Sequence, residues 1–381
     1  MVRGITQNAV PLARLAHHPW LRSLVPHPTM PRQSILHVLF SPRLAGSERY
    51  CVDLANRQAE AGHEVHVAGS SHSPLREALS PKVAYHSFNR FLRGLRLRHF
   101  IGRLAPDICH GHLSPACKAL KGVAAHQRTV ATLHVGYKAH QHAWLDGLIC
   151  VNHTQARRLT GYRGLAHTIP NWIPQITEDR AATGIRQELG LGEDVFLVGA
   201  IGRLHPSKGM DVLVSAFRES APERAALVIL GDGPQRRQLD RLRGGDPRIH
   251  FVGYRSAVHD CLRDLDLFVS PSREESFGLA IVEAMSAGVP IVATAAEGPG
   301  EFLIDQPIPL VPPGSIAALS AEIRRAHQTF RPGTLARIDY DLSLFDPSAR
   351  LANVMEFYGQ VIAAGEWSPA RTENQRVALA T

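Results

Sequence analysis

Two carboxylates with seven residues between them, Glu275 and Glu283, stand in the segment REESFGLAIVEAMSAGVPIVAT, residues 273–294. A strand is expected to end at Pro271, a loop to carry Glu274 and Glu275, and a helix to start near Phe277 and Gly278. Gly278 lets a ligand come close to the backbone. The N–H groups of Phe277, Gly278 and Leu279 have no helical partner and face outward at the positive helix end, which suits phosphate or sugar oxygens. Glu275 at that mouth can accept hydrogen bonds from sugar hydroxyls. Glu283 is flanked by Ile281, Val282 and Ala284. Burying a carboxylate there is costly unless it has donors, and a vicinal diol such as a ribose supplies two. The plainer alternative is a capping Glu275 and a solvent-facing Glu283, which a short motif does not exclude by itself.

The elements that must position these groups follow from hydrophobic periodicity. ILHVLF (35–40) reads as a strand, SPRLAGSE as a loop, YCVDLANRQAEAG (50–62) as a helix closed by Gly62, and EVHVAG (64–69) as the next strand. This β-loop-α-β order predicts a parallel sheet. DICHGH (107–112), TVATLH (129–134) and GLICVN (147–152) continue it. The pattern restarts with VFLVGAIG (195–202), ALVILGDG (226–233), IHFVGY (249–254), DLFVSPS (266–272) and PIVAT, separated by helical stretches. Two doubly wound α/β units therefore lie in series, and ligands are expected in the cleft between them, at strand carboxyl ends.

The 381 residues suit two domains. The expected division is a disordered extension at 1–33, a first domain at 34–174, a second at 175–345, a returning helix at 346–364 and a disordered tail at 365–381. Met30, just before the first strand, is an alternative start, and no secretory signal is read in the opening stretch. No run of about 18 apolar residues occurs. Five cysteines without a C-x-x-C pair argue against a disulfide framework or zinc ribbon and fit a reducing cytoplasm. The net charge of +8 points to anionic partners.

ESFGLAIVE has the E-x7-E form and resembles the donor-site motif of retaining glycosyltransferases of the GT-B fold, family 4. The resemblance covers about residues 34–362 and includes LAGSERYCVDLANRQAEAGHEV, GAIGRLHPSKGMDVLVSAF, LVILGDGPQRRQLDRL, VGYRSAVHDCLRDLDLFVSPS and VPPGSIAALSAEI, in that order. It implies two Rossmann-like domains facing across a cleft. It also implies that Arg203 and Lys208, in GRLHPSKG, hold the donor diphosphate. Two fixed cations there would stabilise the leaving group. By the same resemblance Glu275 binds the transferred sugar, Glu283 the ribose, and Phe277, Gly278 and Leu279 offer backbone donors, with Tyr254 and Arg255 near the base. In DICHGHLSP, His112 is expected near the anomeric centre, with His110 as the alternative, and His134 on the acceptor side. Gly46 and Ser47 form the first turn; Ser47 replaces a family glycine, so its φ must suit a close approach.

The resemblance implies a metal-independent enzyme with no cofactor beyond its nucleotide-sugar co-substrate. Asp264 and Asp266 straddle a helix end and a strand start, and Asp339 and Asp341 lie outside the motif core. Cys109 should point away from His110 and His112 because strand residues alternate, which argues against a metal there. Between Glu77 and Asp107 there is no acid, while Lys82, Arg90, Arg93, Arg96, Arg98 and Arg103 fall in that interval. Phe88, Phe91, Leu92, Leu95 and Leu104 recur near helical spacing, so a basic amphipathic helix is expected, either covering the sheet or resting on an anionic leaflet. A glycan or lipid-linked acceptor at the cytoplasmic face of the cell membrane, in lipopolysaccharide or other polysaccharide synthesis, fits this charge and the family habit. Nucleic acid does not fit, for want of a recognition motif. Rival readings are a GT-B sugar-nucleotide epimerase, a non-catalytic sugar-nucleotide binder, and a nicotinamide-dependent oxidoreductase, the last weakened by the lack of G-x-G-x-x-G after the first strand.

Overall fold

A computed structural model describes residues 31–123, 127–173, 184–220, 223–255 and 258–365. The extension before residue 31, the tail after 365 and the boundary at 174–175 read from the sequence lie outside the described residues. Strands β1 (Ser34–Leu39), β2 (Glu64–Ser70), β3 (Ala84–Phe88), β4 (Ile108–His112), β5 (Arg128–Leu133), β6 (Gly147–Cys150) and β7 (Leu165–Thr168) form one sheet in the order β3-β2-β1-β4-β5-β6-β7. Strands β8 (Phe196–Ile201), β9 (Ala225–Leu230), β10 (Ile249–Gly253), β11 (Leu267–Ser270), β12 (Ile291–Thr294) and β13 (Leu310–Val311) form the other, in the order β10-β9-β8-β11-β12-β13. Every pairing is parallel. The direction of winding reverses beside the first strand of each sheet, between β1 and β4 and between β8 and β11, and such a switch point opens a crevice at the strand carboxyl ends.

Strand composition explains the burial. Ile35, Leu36, Val38 and Leu39 of β1 and Leu227, Val228 and Ile229 of β9 are fully buried, as continuous apolar runs must be when helices cover both sheet faces. Three strands, β3, β7 and β13, were not anticipated. All three are edge strands, short and only partly buried, so they lack the apolar run that marks the others. The first helix runs Gly46–Glu60, starting before the expected Tyr50, because Glu48 reaches back to accept the Ala45 N–H at 3.2 Å. Ser47 therefore sits in a helical turn and needs no positive φ.

The basic segment differs from its expected form. Phe88 ends β3, Leu92 adopts a left-handed conformation (φ 48°), and the helix begins only at Arg93. Its core-facing residues are Leu97 and Ile101, whereas Phe91, Leu92 and Leu95 are exposed, Phe91 by 74%.

The helix Pro347–Ala363 packs on the first sheet. Asp346 caps it, accepting the Ala349 N–H at 2.7 Å. Val354, Phe357, Tyr358 and Val361, at helical spacing, pack on Ile35, Leu54, Ile108, Val130 and Ile149. A Cβ on Gly147 would stand 2.9 Å from Phe357 and Val361, so only glycine lets the helix lie this close to β6. All five cysteines are buried, and none is in a disulfide among the described residues. Burial pushes the thiols of Cys109, Cys117 and Cys150 up to about 12 and that of Cys261 to about 11. Asp266 accepts the Leu197 N–H at 2.7 Å and pairs with Arg186 at 2.5 Å, a structural use of the first D-x-D.

Candidate active site

The second sheet builds one wall. Arg203 is exposed in the loop that leaves β8, and Lys208 closes the 3-10 turn Pro206–Lys208 just beyond it. After β11 the chain runs through Ser272 and Glu275 to Gly278, whose φ of +91° makes the entry into helix Leu279–Ser286 a glycine position. Lys208 Nζ lies 2.5 Å from Glu275 Oε2, and the Ser272 hydroxyl donates to the same oxygen at 3.3 Å. The two residues assigned separately to diphosphate and sugar are thus direct partners. Phe277 is buried against Phe302 and Phe345, which anchors the turn while leaving its backbone at the helix mouth. Among the described residues no acceptor takes the N–H groups of Phe277, Gly278 or Leu279.

The first sheet supplies the opposite wall. Arg49, in the first helix, reaches across to Glu283 at 2.8 Å. The plainer alternative of a solvent-facing Glu283 is excluded: its side chain is 12% exposed. Burial raises its pKa, and the adjacent Arg49 guanidinium opposes that rise. A Cβ on Gly46 would stand 3.3 Å from Leu279 Cδ1, so the two helix starts nearly touch. The Tyr254 hydroxyl donates to the Leu44 carbonyl at 2.8 Å, and the Asn152 amide donates to the Ser276 carbonyl at 2.6 Å. Glu301 accepts the His153 and Thr154 N–H groups at 2.8 and 2.7 Å. Burial pushes that carboxyl up, but these hydrogen bonds outweigh it and hold the group below its ordinary value. Arg255, expected near the base, is paired with Glu188.

His110 and His112 lie on one face of β4 and Cys109 on the other, among Leu36, Val38 and Leu97. Both histidines are fully buried. His112 Nε2 meets His37 Nδ1 at 3.0 Å and His112 Nδ1 meets His134 Nε2 at 3.2 Å. His110 contacts the Tyr358 hydroxyl at 2.5 Å and Thr132 Oγ1 at 2.9 Å. His37, His110 and His112 bring nitrogens within 4.8 Å of one another, yet all six are engaged in hydrogen bonds. Desolvation lowers the pKa of His37 and His134 to about 4 and that of His110 and His112 well below the ordinary value, so the rings are neutral at pH 7. Sequence reasoning missed His37 and Arg49. A lone histidine inside the apolar run ILHVLF was the available signal for the first; nothing local marks the second.

Residues 44–175 match the family model "Glycosyltransferase Family 4" and residues 195–329 match "Glycosyl transferases group 1". The chain belongs to glycosyltransferase family 4. The lipopolysaccharide core biosynthesis glycosyltransferase LpsD of Rhizobium meliloti is 28% identical over 308 residues, covering 76% of this chain and 87% of LpsD. The phosphatidylinositol N-acetylglucosaminyltransferase GPI3 subunit of Saccharomyces cerevisiae is 26% identical, covering 69% of this chain and 68% of its own. Among solved structures, Anabaena HepE in complex with UDP and glucose superimposes with a TM-score of 0.74 at 21% identity, covering 86% of this chain and all of HepE. This family 4 glycosyltransferase therefore has the GT-B fold, and the two family models fall on the two sheets described above.

Proposed function

We propose that this glycosyltransferase moves a sugar from a nucleotide-sugar donor to a hydroxyl of a lipid-linked or cell-surface glycan, with retention of anomeric configuration. The observation that carries the donor reading is the convergence, at the facing switch points, of Lys208 on Glu275 and Arg49 on Glu283 beside the unpartnered N–H groups of Phe277, Gly278 and Leu279. A donor laid along that wall places its diphosphate toward Arg203, Lys208 and the helix mouth, its sugar toward Glu275 and its ribose toward Glu283. Cations and N–H groups fixed beforehand stabilise the departing diphosphate without reorganisation. No side chain of the wall is poised as a base for the acceptor, so the reading assigns that proton to the donor phosphate on the front face. No metal is needed in this scheme.

The acceptor reading draws support from LpsD and GPI3, whose names place them in lipopolysaccharide and phosphatidylinositol glycan synthesis. It also draws on a basin of about 500 Å³ lined by Arg90, Arg93, Arg98 and Lys118, beside exposed Phe91 and Leu95. Among the described residues no carboxylate pairs with these cations. Cations ringing exposed apolar side chains suit an anionic leaflet at the inner face of the membrane. No described helix is long and apolar enough to cross a membrane.

A thermal-shift panel of UDP-, GDP- and ADP-sugars identifies the donor, since a bound donor raises Tm by mass action. Label then followed from that donor, with EDTA present, must appear in an acceptor. Isomerised donor alone, or binding without turnover, overturns the reading. Co-sedimentation with anionic but not neutral vesicles tests the membrane clause.

A further inference from the structure

One side chain of the first sheet fixes a peptide of the second at the edge of the donor wall. Asn152 follows β6 and is the N-cap of the helix His153–Arg157. It is buried, and its amide bridges the two sheets. Oδ1 accepts the Gln155 N–H at 2.7 Å, and Nδ2 donates to the Ser276 carbonyl at 2.6 Å. Both partners are backbone groups with fixed roles, so one orientation of the amide satisfies them. Among the described residues no backbone N–H donates to the Ser276 carbonyl. That oxygen lies against Gly298, where a Cβ would collide with it. The second sheet gives it space, and the first sheet gives it a donor.

The surrounding contacts make Asn152 a fixed reference. The Gln155 side chain donates to the Leu133 carbonyl at the end of β5 and accepts the Val151 N–H, both at 3.0 Å. Glu301 takes the His153 and Thr154 N–H groups, so the first turn of the helix is satisfied from both sheets. The Glu275 carbonyl is held within the second sheet, by the Gly298 N–H at 2.9 Å. The next peptide, Ser276–Phe277, takes its direction from across the cleft instead. A trans peptide sets C=O and N–H on opposite sides of one plane. Holding the Ser276 oxygen on Asn152 therefore turns the Phe277 N–H the other way, and that N–H has no acceptor among the described residues. The Phe277 ring is anchored on Phe302 and Phe345. Such an anchor fixes the Cα but not the plane before it, which rotates through coupled changes at Ser276 ψ and Phe277 φ. The bond from Asn152 is what fixes the plane.

We propose that Asn152 is a positioning residue for transfer: with the sheets drawn together, its amide holds the Ser276 carbonyl and aims the Phe277 N–H at an oxygen of the bound donor. Separation of the sheets releases the carbonyl, so this hydrogen-bond donor is set in the closed arrangement alone. The ligand's identity rests on the donor-site reading above, though the bond across the cleft does not.

The chain has two Ser–Phe steps, Ser87–Phe88 and Ser276–Phe277. Protein labelled with ¹³C at serine carbonyls and ¹⁵N at phenylalanine therefore gives two carbonyl–amide correlations by NMR, and the one at the end of β3 is the reference. Asn152→Ser keeps the cap, since Ser and Asn cap alike, but is too short to reach Ser276. It should move the Ser276 carbonyl resonance and leave the reference in place. An unmoved Ser276 resonance overturns the bond across the cleft, and this arm needs no substrate. The sugar nucleotide that raises Tm should shift the Phe277 amide in the wild type and shift it less in Asn152→Ser. No shift in the wild type, or equal shifts in both, overturns the aim. If no sugar nucleotide raises Tm, the donor reading falls and the aim with it, while the carbonyl arm still decides the bond. In transfer assays kcat should fall about tenfold in Asn152→Ser and about a hundredfold in Asn152→Asp, whose carboxylate caps equally well but repels the Ser276 carbonyl. Equal kcat in the two variants, as a cap alone predicts, overturns the positioning role.

Discussion

Glu275 and Lys208 hold each other at 2.5 Å; in the donor reading proposed above, phosphate on Lys208 would release Glu275 toward the sugar. Replacing either member strands the other. Glu275→Ala is expected to lower kcat/KM for transfer by about 10²–10³-fold, the range for losing one preorganised electrostatic contact, with Tm nearly unchanged. Turnover near wild type in a label-transfer assay would remove Glu275 from the site. The buried histidines make a second residue-scale expectation. Their pKa values in the folded protein lie below the ordinary 6.5 of the unfolded chain, at about 4 for His37 and His134. As pH falls through 6.5 the unfolded chain takes up protons first, so the stability that His37 and His134 contribute above 6.5 is lost between 6.5 and 4, and His110 and His112, held well below the ordinary value, add to the loss as pH falls. His37 alone contributes roughly 3 kcal/mol to that loss. Urea denaturation across the window measures it, and a flat profile would refute the buried neutral state.

At the scale of elements, the helix Pro347–Ala363 does more than close the chain. Phe357 and Val361 lie on Gly147 of β6, and Tyr358 reaches His110. Phe357→Ala should cost about 3–5 kcal/mol through the cavity it leaves, and Tyr358→Phe about 1–2 kcal/mol through the lost hydrogen bond at His110, both read by urea midpoint. The long buried strands and the glycine-capped helix mouth were legible in the sequence, because an apolar run and a single Gly278 each report a local constraint. The places of Glu275 and Lys208 just past strand ends were legible too, because they are local; their pairing with each other was not. Arg49 with Glu283 was not, since nothing near either residue encodes a pairing between two separately folded sheets. His37 was hidden by its own context: its neighbours are apolar, and its partners arrive from one other strand, β4, and the first helix. The basic helix was misread at its start because Leu92 takes a left-handed turn that composition does not announce.

At the scale of the molecule, Arg49–Glu283, Tyr254–Leu44, Asn152–Ser276 and the Glu301 cap tie the two sheets together around the cleft. Arg49 and Glu283 form the pair nearest the donor wall, and ribose hydroxyls would compete for the same carboxylate. Arg49→Met is expected to leave Glu283 buried without a cation, lower stability by about 1–3 kcal/mol and loosen closure. Small-angle scattering should then report a larger radius of gyration than wild type, and saturating donor should reverse the increase. An unchanged radius would show that the remaining ties suffice. Away from the cleft, the peptide N–H of Ile173 donates to the Phe345 carbonyl at 3.1 Å, so the two places where the chain passes between the sheets are stitched to each other. Closure over a bound donor is expected to pivot there.

The burial of all five thiols carries a consequence for watching that pivot. A thiol pushed to about 11 or higher and shielded from solvent is a poor nucleophile toward maleimides at neutral pH. The natural chain is therefore optically dark to thiol chemistry. Cysteines introduced at exposed Glu60 and Ala321 would be the sole attachment points for a dye pair spanning the two sheets. Single molecules could then be followed through opening and closing without removing any native sulfur from the core.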